Sequence, residues 1–191
     1  EEHLVRTYHT VDPAAVPPYA NRRKVALISG AVSSAYPLRR ELVRYAESRA
    51  GRDRGVDVLR HPGYGRTKCH TPDYLRRLSE YRVAVCTSSV YGYALRKIVE
   101  ATAAGCIVVT DLPRDDVMPE IDGNLVRVSP TIKPGQVFDL VHSLASGYDP
   151  DRQREYAERA VRYYDYRAEG VRLAARIDEL RGRYNCVPNY P

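Results

Sequence analysis

"RVAVCTSSVYGYALRKIVEATAAGCIVVTD", residues 82–111, compresses a strand, a helix and a second strand into one short stretch. "RVAVCTSS" (82–89) and "CIVVTD" (106–111) open as near-continuous apolar runs, which predicts strands covered on both faces. Between them Leu95, Ile98, Val99, Thr102 and Ala103 recur at helical spacing, and Gly105 marks the stop. Two buried strands joined through a helix form a βαβ unit, whose strands run parallel.

The same alternation extends in both directions. "KVALISG" (24–30) is a buried strand ending in glycine, and "YPLRRELVRYAESRA" (36–50) a helix with proline in its first turn. "VDVLRHPG" (56–63) reads as a strand, and "TPDYLRRLSEY" (71–81) as a helix opened by Thr71 and Pro72. Downstream, "NLVRVSP" (124–130) is a fifth strand and "KPGQVFDLVHSLASG" (133–147) a further helix. The pattern predicts an α/β fold, a Rossmann-like doubly wound parallel sheet of five or six strands spanning 24–150. Residues 1–23, with "VDPAAVPPYANRR", read as an irregular arm or linker. Residues 151–191 form a charged helical segment and tail, in which Ala157, Val161, Tyr164 and Ala168 keep one helical rhythm. Leu173, Ile177, Leu180 and Tyr184 keep another, so Gly170 between them marks the expected bend or break. Tyr163, Tyr164 and Tyr166 on this segment are expected to serve helix packing rather than a binding surface.

A chain of 191 residues with 43% apolar and 28% charged content can bury a core of its own and is not of the disordered class. No apolar run reaches the roughly 18–20 residues of a membrane span. The polar start "EEHLVRTYHT" does not read as a signal peptide. Cys69, Cys86, Cys106 and Cys186 are scattered with no C-x-x-C pair, which argues against zinc and redox motifs. Buried thiols in a reducing, cytoplasmic setting are the expectation. A net charge of +6 suggests an anionic partner, but no run of like charge marks a nucleic-acid tail.

Ligands of open α/β sheets bind beyond the carboxyl ends of the strands, where helix N-termini favour phosphate. That edge here holds Gly30, His61, Ser88, Ser89, Tyr91, Gly92 and Asp111, an inventory of small, hydroxyl and basic groups. "ISGAVSSAYP" carries one glycine, so the G-x-G-x-x-G fingerprint is missing, and "GYGRTK" lacks Walker spacing. Dinucleotide enzymes and P-loop NTPases therefore lose weight. Arg96 and Glu100 stand four apart off the apolar face, with Lys97 beside them. Periodicity alone leaves two readings open: an i, i+4 surface pair, or a ligand-holding set at a helix start.

"RKIVEATAAGCIVVTD" (96–111) resembles the R-x-x-x-E-A-x-A-x-G-x-x-x-x-T-D pattern in the C-terminal, donor-binding domain of GT-B glycosyltransferases, closest to the group 1 and spore-maturation-type families. "KVALISGAVSSAYPLRREL" is similar to their first strand, glycine turn and basic helix. The resemblance runs over 24–185 and implies one half of a GT-B architecture, with a long C-terminal helix packed back across the interdomain cleft. It implies a nucleotide-diphosphate sugar, UDP- or GDP-linked, as donor, with no cofactor and no metal. By the same resemblance Glu100 would bind the donor ribose and Arg96 and Lys97 the diphosphate. Gly30 would admit the donor to the first turn, with Arg39 or Arg40 assisting. Ser88, Ser89, Tyr91, Gly92 and Tyr93 would line the phosphate end, and His61 is a weak candidate. Gly92 stands where the retaining families carry the first acid of their E-x7-E motif. An N-terminal acceptor domain or a partner chain would supply the acceptor site, so no catalytic residue is named. The competing expectation is a non-catalytic α/β interaction module with a basic edge for anions or nucleic acid.

Overall fold

The computed structural model describes residues 5–19, 22, 24–60 and 71–184. Five strands, β1 (Lys24–Gly30), β2 (Val56–Arg60), β3 (Tyr81–Val85), β4 (Ile107–Thr110) and β5 (Leu125–Arg127), form one sheet in the order β2-β1-β3-β4-β5. Every pairing is parallel, with Ala26 opposite Val56 on one side of β1 and Val83 on the other. Six helices accompany them: α1 (Pro37–Glu47), α2 (Thr71–Leu78), α3 (Arg96–Ala103), α4 (Pro134–Ser146), α5 (Pro150–Tyr163) and α6 (Tyr166–Tyr184). The protein is a Rossmann-like α/β domain with a long C-terminal helix.

The pleat divides each strand between two cores, since successive side chains point to opposite faces. Ala26, Ile28, Val83, Val85 and Val109 meet Leu42 of α1 and Phe138 and Val141 of α4. Leu27, Ala84 and Val108 meet Leu75 of α2, Ile98 and Val99 of α3, and Ala160 of α5. The first crossover, through α1, leads from β1 to β2 over one face. The second, through α2, returns over the other face to β3 on the far side of β1. The topological switch point therefore lies between the carboxyl ends of β1 and β3.

The charged C-terminal segment breaks before Gly170, which lies inside α6 with open space where a side chain would project. The break falls at Tyr164–Asp165 for tertiary reasons. Tyr164 is fully buried, donates its hydroxyl to Pro119 O at 2.8 Å, and gives its own carbonyl to Val11 N at 2.9 Å. Asp165 pairs with Val11 as an isolated parallel bridge and caps α6 by accepting from Arg167 N at 2.8 Å. Tyr8 of the N-terminal arm stacks edge-on against Tyr163 and Tyr164. Those two tyrosines serve packing, whereas Tyr166 is half exposed. Cys86 and Cys106 are buried free thiols. No helix among the described residues is long and apolar enough to cross a membrane.

Candidate functional site

Two cations meet at the switch point, directly over Gly30. Lys97, in the first turn of α3, donates from Nζ to Ser29 O at 2.6 Å. Arg39, in the first turn of α1, donates from Nη2 to Thr87 O at 2.8 Å and from Nη1 to Ala31 O at 3.2 Å. Gly30 has φ of +122°, and a Cβ there would overlap Lys97 Nζ and come within 2.8 Å of Arg39 Nη1. The glycine makes room for these two side chains, and its backbone conformation excludes other residues without strain.

Arg39 is 1% exposed, its guanidinium lies 4.1 Å from the Tyr36 ring, and its Nε has no hydrogen-bond partner. Among the described residues no carboxylate is ion-paired with it. Burial pushes its pKa down from the ordinary arginine value. Neither α1 nor α3 has an acidic residue in its first turn. Helix macrodipoles make N-termini positive and favour anions there, so two cations placed at them add to that potential at a cost to the helices. Such an arrangement concentrates positive potential where a phosphate group can receive it.

The loop between β3 and α3 forms the wall of the crevice. Ser88 N donates to Asp111 Oδ1 at 2.5 Å, and Val90 N to Ala35 O at 2.9 Å, which ties the loop to both neighbouring turns. Ser89 accepts Tyr91 N on Oγ at 3.2 Å and Gly92 N on its carbonyl at 2.9 Å. Gly92 sits at φ +63°, so an acid at this position would have to take a left-handed conformation. Ser88 and Ser89 are buried, while Tyr91 is 80% and Tyr93 48% exposed.

Arg96 and Glu100 do form the i, i+4 pair, with Nε and Oε1 3.0 Å apart, but it is not a solvated one. Glu100 is 6% exposed, and Ile98 through Ala103 are buried on every side of α3. The carboxyl pKa is raised by burial, against the opposing pull of Arg96 and Lys97. Periodicity allows Glu100 a solvated surface position because it assumes one covered face, whereas α2 and α5 both pack on α3. Arg40 is exposed on α1, its Nε 3.8 Å from Glu41. His61 lies outside the described residues.

Several neighbours are silent in the sequence. Tyr74 of α2 is hydrogen-bonded through its hydroxyl to Ser29 Oγ at 2.6 Å, beneath Lys97. Asp116 accepts Ala94 N at 2.9 Å and pairs with Arg6 of the arm. A cleft of ≈ 310 Å³ lies there between Arg6–His9 and Tyr93–Leu95. The pKa of His9 in this cleft is lowered, by burial and then by Arg96. Nothing in spacing or composition joins the arm to α3; only the fold does. No group of three or more His, Cys, Asp or Glu side chains converges among the described residues.

No family model matches the chain, and no curated protein matches it. Among solved structures it is similar to the pneumococcal O-GlcNAc transferase GtfA in complex with UDP and GlcNAc, with a TM-score of 0.51 and 13% identity. The similarity covers 90% of this chain and 38% of that one, so the chain spans well under half of GtfA. At that identity the likeness is one of fold alone: a doubly wound parallel sheet with its covering helices.

Proposed function

We propose that the chain is the nucleotide-sugar-binding domain of a GT-B glycosyltransferase, related to the group 1 and spore-maturation-type enzymes. The observation that carries this reading is the meeting of Arg39 and Lys97 over Gly30, each rooted in a helix start without an acid. The donor diphosphate lies across this crevice, received by Lys97 and the N-terminus of α3, with Arg39 reinforcing the field from below. Arg96, at the rim, turns from Glu100 to the phosphates. The freed Glu100 carboxylate accepts hydrogen bonds from the ribose hydroxyls. Ser88, Ser89, Tyr91, Gly92 and Tyr93 border the same end. The cationic side chains supply the charge neutralisation, so donor binding needs no metal. Acceptor and proton-transfer groups come from an N-terminal domain or partner chain, in a cytoplasmic enzyme.

The test is a thermal-shift titration with UDP, GDP and their sugar conjugates. One base is expected to raise the melting temperature, and Lys97→Ala and Glu100→Gln to abolish most of that rise. Stabilisation by polyanions of any kind, with indifference to every nucleotide diphosphate, would instead identify an interaction module.

A further inference from the structure

A second concentration of positive charge lies at the opposite edge of the sheet, where β3 and β4 begin. A pocket of ≈ 210 Å³ is lined there by Tyr19, Arg22, Arg82, Ser146 and Tyr148. Arg22 is 3% exposed, and its Nη1 donates to Ser79 O at 3.0 Å and Tyr81 O at 3.2 Å. Its Nη2 donates to Ala104 O, and its Nε has no partner. Arg82 donates from Nη1 to Ala145 O at 3.0 Å, across the pocket wall. Among the described residues neither guanidinium is paired with a carboxylate, so two full charges face one small cavity with only carbonyl dipoles against them. Arg154 is exposed outside the pocket lining, its guanidinium 5.1 Å from the Tyr19 ring on which Arg22 also stacks at 4.9 Å. Arg154 is ion-paired with Asp151 at 3.7 Å, and both side chains are exposed.

The two tyrosines form walls rather than donors. Tyr148 gives its hydroxyl hydrogen to Gly105 O at 2.9 Å. The 2.7 Å contact between the Tyr19 and Tyr148 hydroxyls therefore has Tyr19 as donor, which leaves neither hydrogen for a ligand. The remaining donors of the lining are the N–H groups that Arg82 does not spend on Ala145 O, and the Ser146 hydroxyl. A buried guanidinium without a counter-ion, as at Arg22, is costly, and the planar fork of an arginine matches phosphate oxygens in pairs. The cavity is smaller than the roughly 300–1,000 Å³ of pockets for drug-sized ligands, which selects a small anion.

We propose that this pocket binds a phosphate group, independently of any nucleotide at the carboxyl edge of the sheet. Arg82 clasps its oxygens, Ser146 supplies a neutral hydrogen bond, and Arg22 fixes the field from below. The experiment is calorimetric titration of the full chain with inorganic phosphate in one arm and glycerol phosphate in another. Saturable binding tighter than about 10 mM is expected, with Arg82→Gln weakening it about tenfold or more and Lys97→Gln leaving it unchanged. Arg82→Lys, which keeps the charge, retains part of the affinity and guards against a folding defect, checked by circular dichroism. Equal affinity in the two arms identifies free phosphate as the ligand, and tighter binding of the ester identifies a phosphate monoester. Absence of saturable binding in both arms overturns the proposal. So does binding lost in Lys97→Gln but kept in Arg82→Gln, because that anion sits at the other edge.

Discussion

Lys97 Nζ and Ser29 O, 2.6 Å apart, join the first turn of α3 to the end of β1 across the switch point. The ammonium occupies the space that a side chain at position 30 would need. Gly30→Ala is therefore expected to displace Lys97 as well as strain the backbone, at a cost of about 1–3 kcal/mol. Chemical denaturation of the variant, beside Lys97→Ala as a control lacking the overlap, measures how much of the cost is steric. A Gly30→Ala variant as stable as the wild type contradicts the packing described.

Glu100 leads to a pH dependence of definite sign. Its folded pKa is raised, so between the unfolded and folded values the native state holds more protons than the unfolded chain. The contribution of Glu100 to stability falls as pH rises through a window above the ordinary carboxylate range. In Glu100→Gln that component of the slope disappears. Melting temperatures of both proteins across this window, compared as a difference, show the effect or refute it.

Asp122 has the opposite sign. Arg127 reaches both of its oxygens, at 2.7 and 3.1 Å, and this hydrogen bonding holds the Asp122 pKa below the usual value. The stabilisation is present above the unfolded pKa and is lost as pH falls through the depressed folded one. Asp122 is more than one-third exposed, and solvent screening keeps the pair to about 1 kcal/mol or less. Asp122→Asn should lose that amount at neutral pH and nothing in strong acid, as urea titrations at two pH values would reveal.

Cys86 and Cys106 are expected to be chemically silent in the native protein. Burial pushes their thiols up to about 12 and about 11, leaving almost no thiolate at neutral pH. Site-resolved mass spectrometry after brief alkylation should find both unmodified in buffer and both modified in denaturant. Rapid native labelling of either would show that its strand end opens.

The Tyr164 hydroxyl is the side-chain anchor of the corner between α5 and α6. Tyr164→Phe removes the bond to Pro119 O, which keeps Ile121 N at 2.8 Å, a loss of about 1 kcal/mol. Thermal unfolding measures it, and an unchanged melting temperature would assign the corner to Val11 alone.

The parts of this fold that are legible in the sequence are those governed by local pattern. "KVALISG" coincides with the full span of β1, because a strand covered on both faces must be apolar almost throughout. Residues 124–130 overshoot β5, since apolar runs do not record where pairing ends. Sequence alone places the α5–α6 break at Gly170, because backbone permissiveness is local, whereas the real corner depends on Val11 and Pro119. Gly30 is legible as the glycine that ends β1. The burial of Arg39 and Glu100 is not, because charge and spacing say nothing about what packs over them.

The arm's attachment has a kinetic side. Tyr8 N donates to Glu169 Oε1 at 2.9 Å, across a separation of 161 residues. A contact that distant in sequence closes a long loop, and its entropic cost is met only after the intervening chain has ordered. The βαβ units of the sheet can assemble from neighbours as the chain emerges, but Tyr8 and Val11 have no seat until α5 and α6 exist. Docking of the arm through Tyr8 and Val11 is then expected to follow the ordering of α5 and α6, although the arm precedes both in the chain.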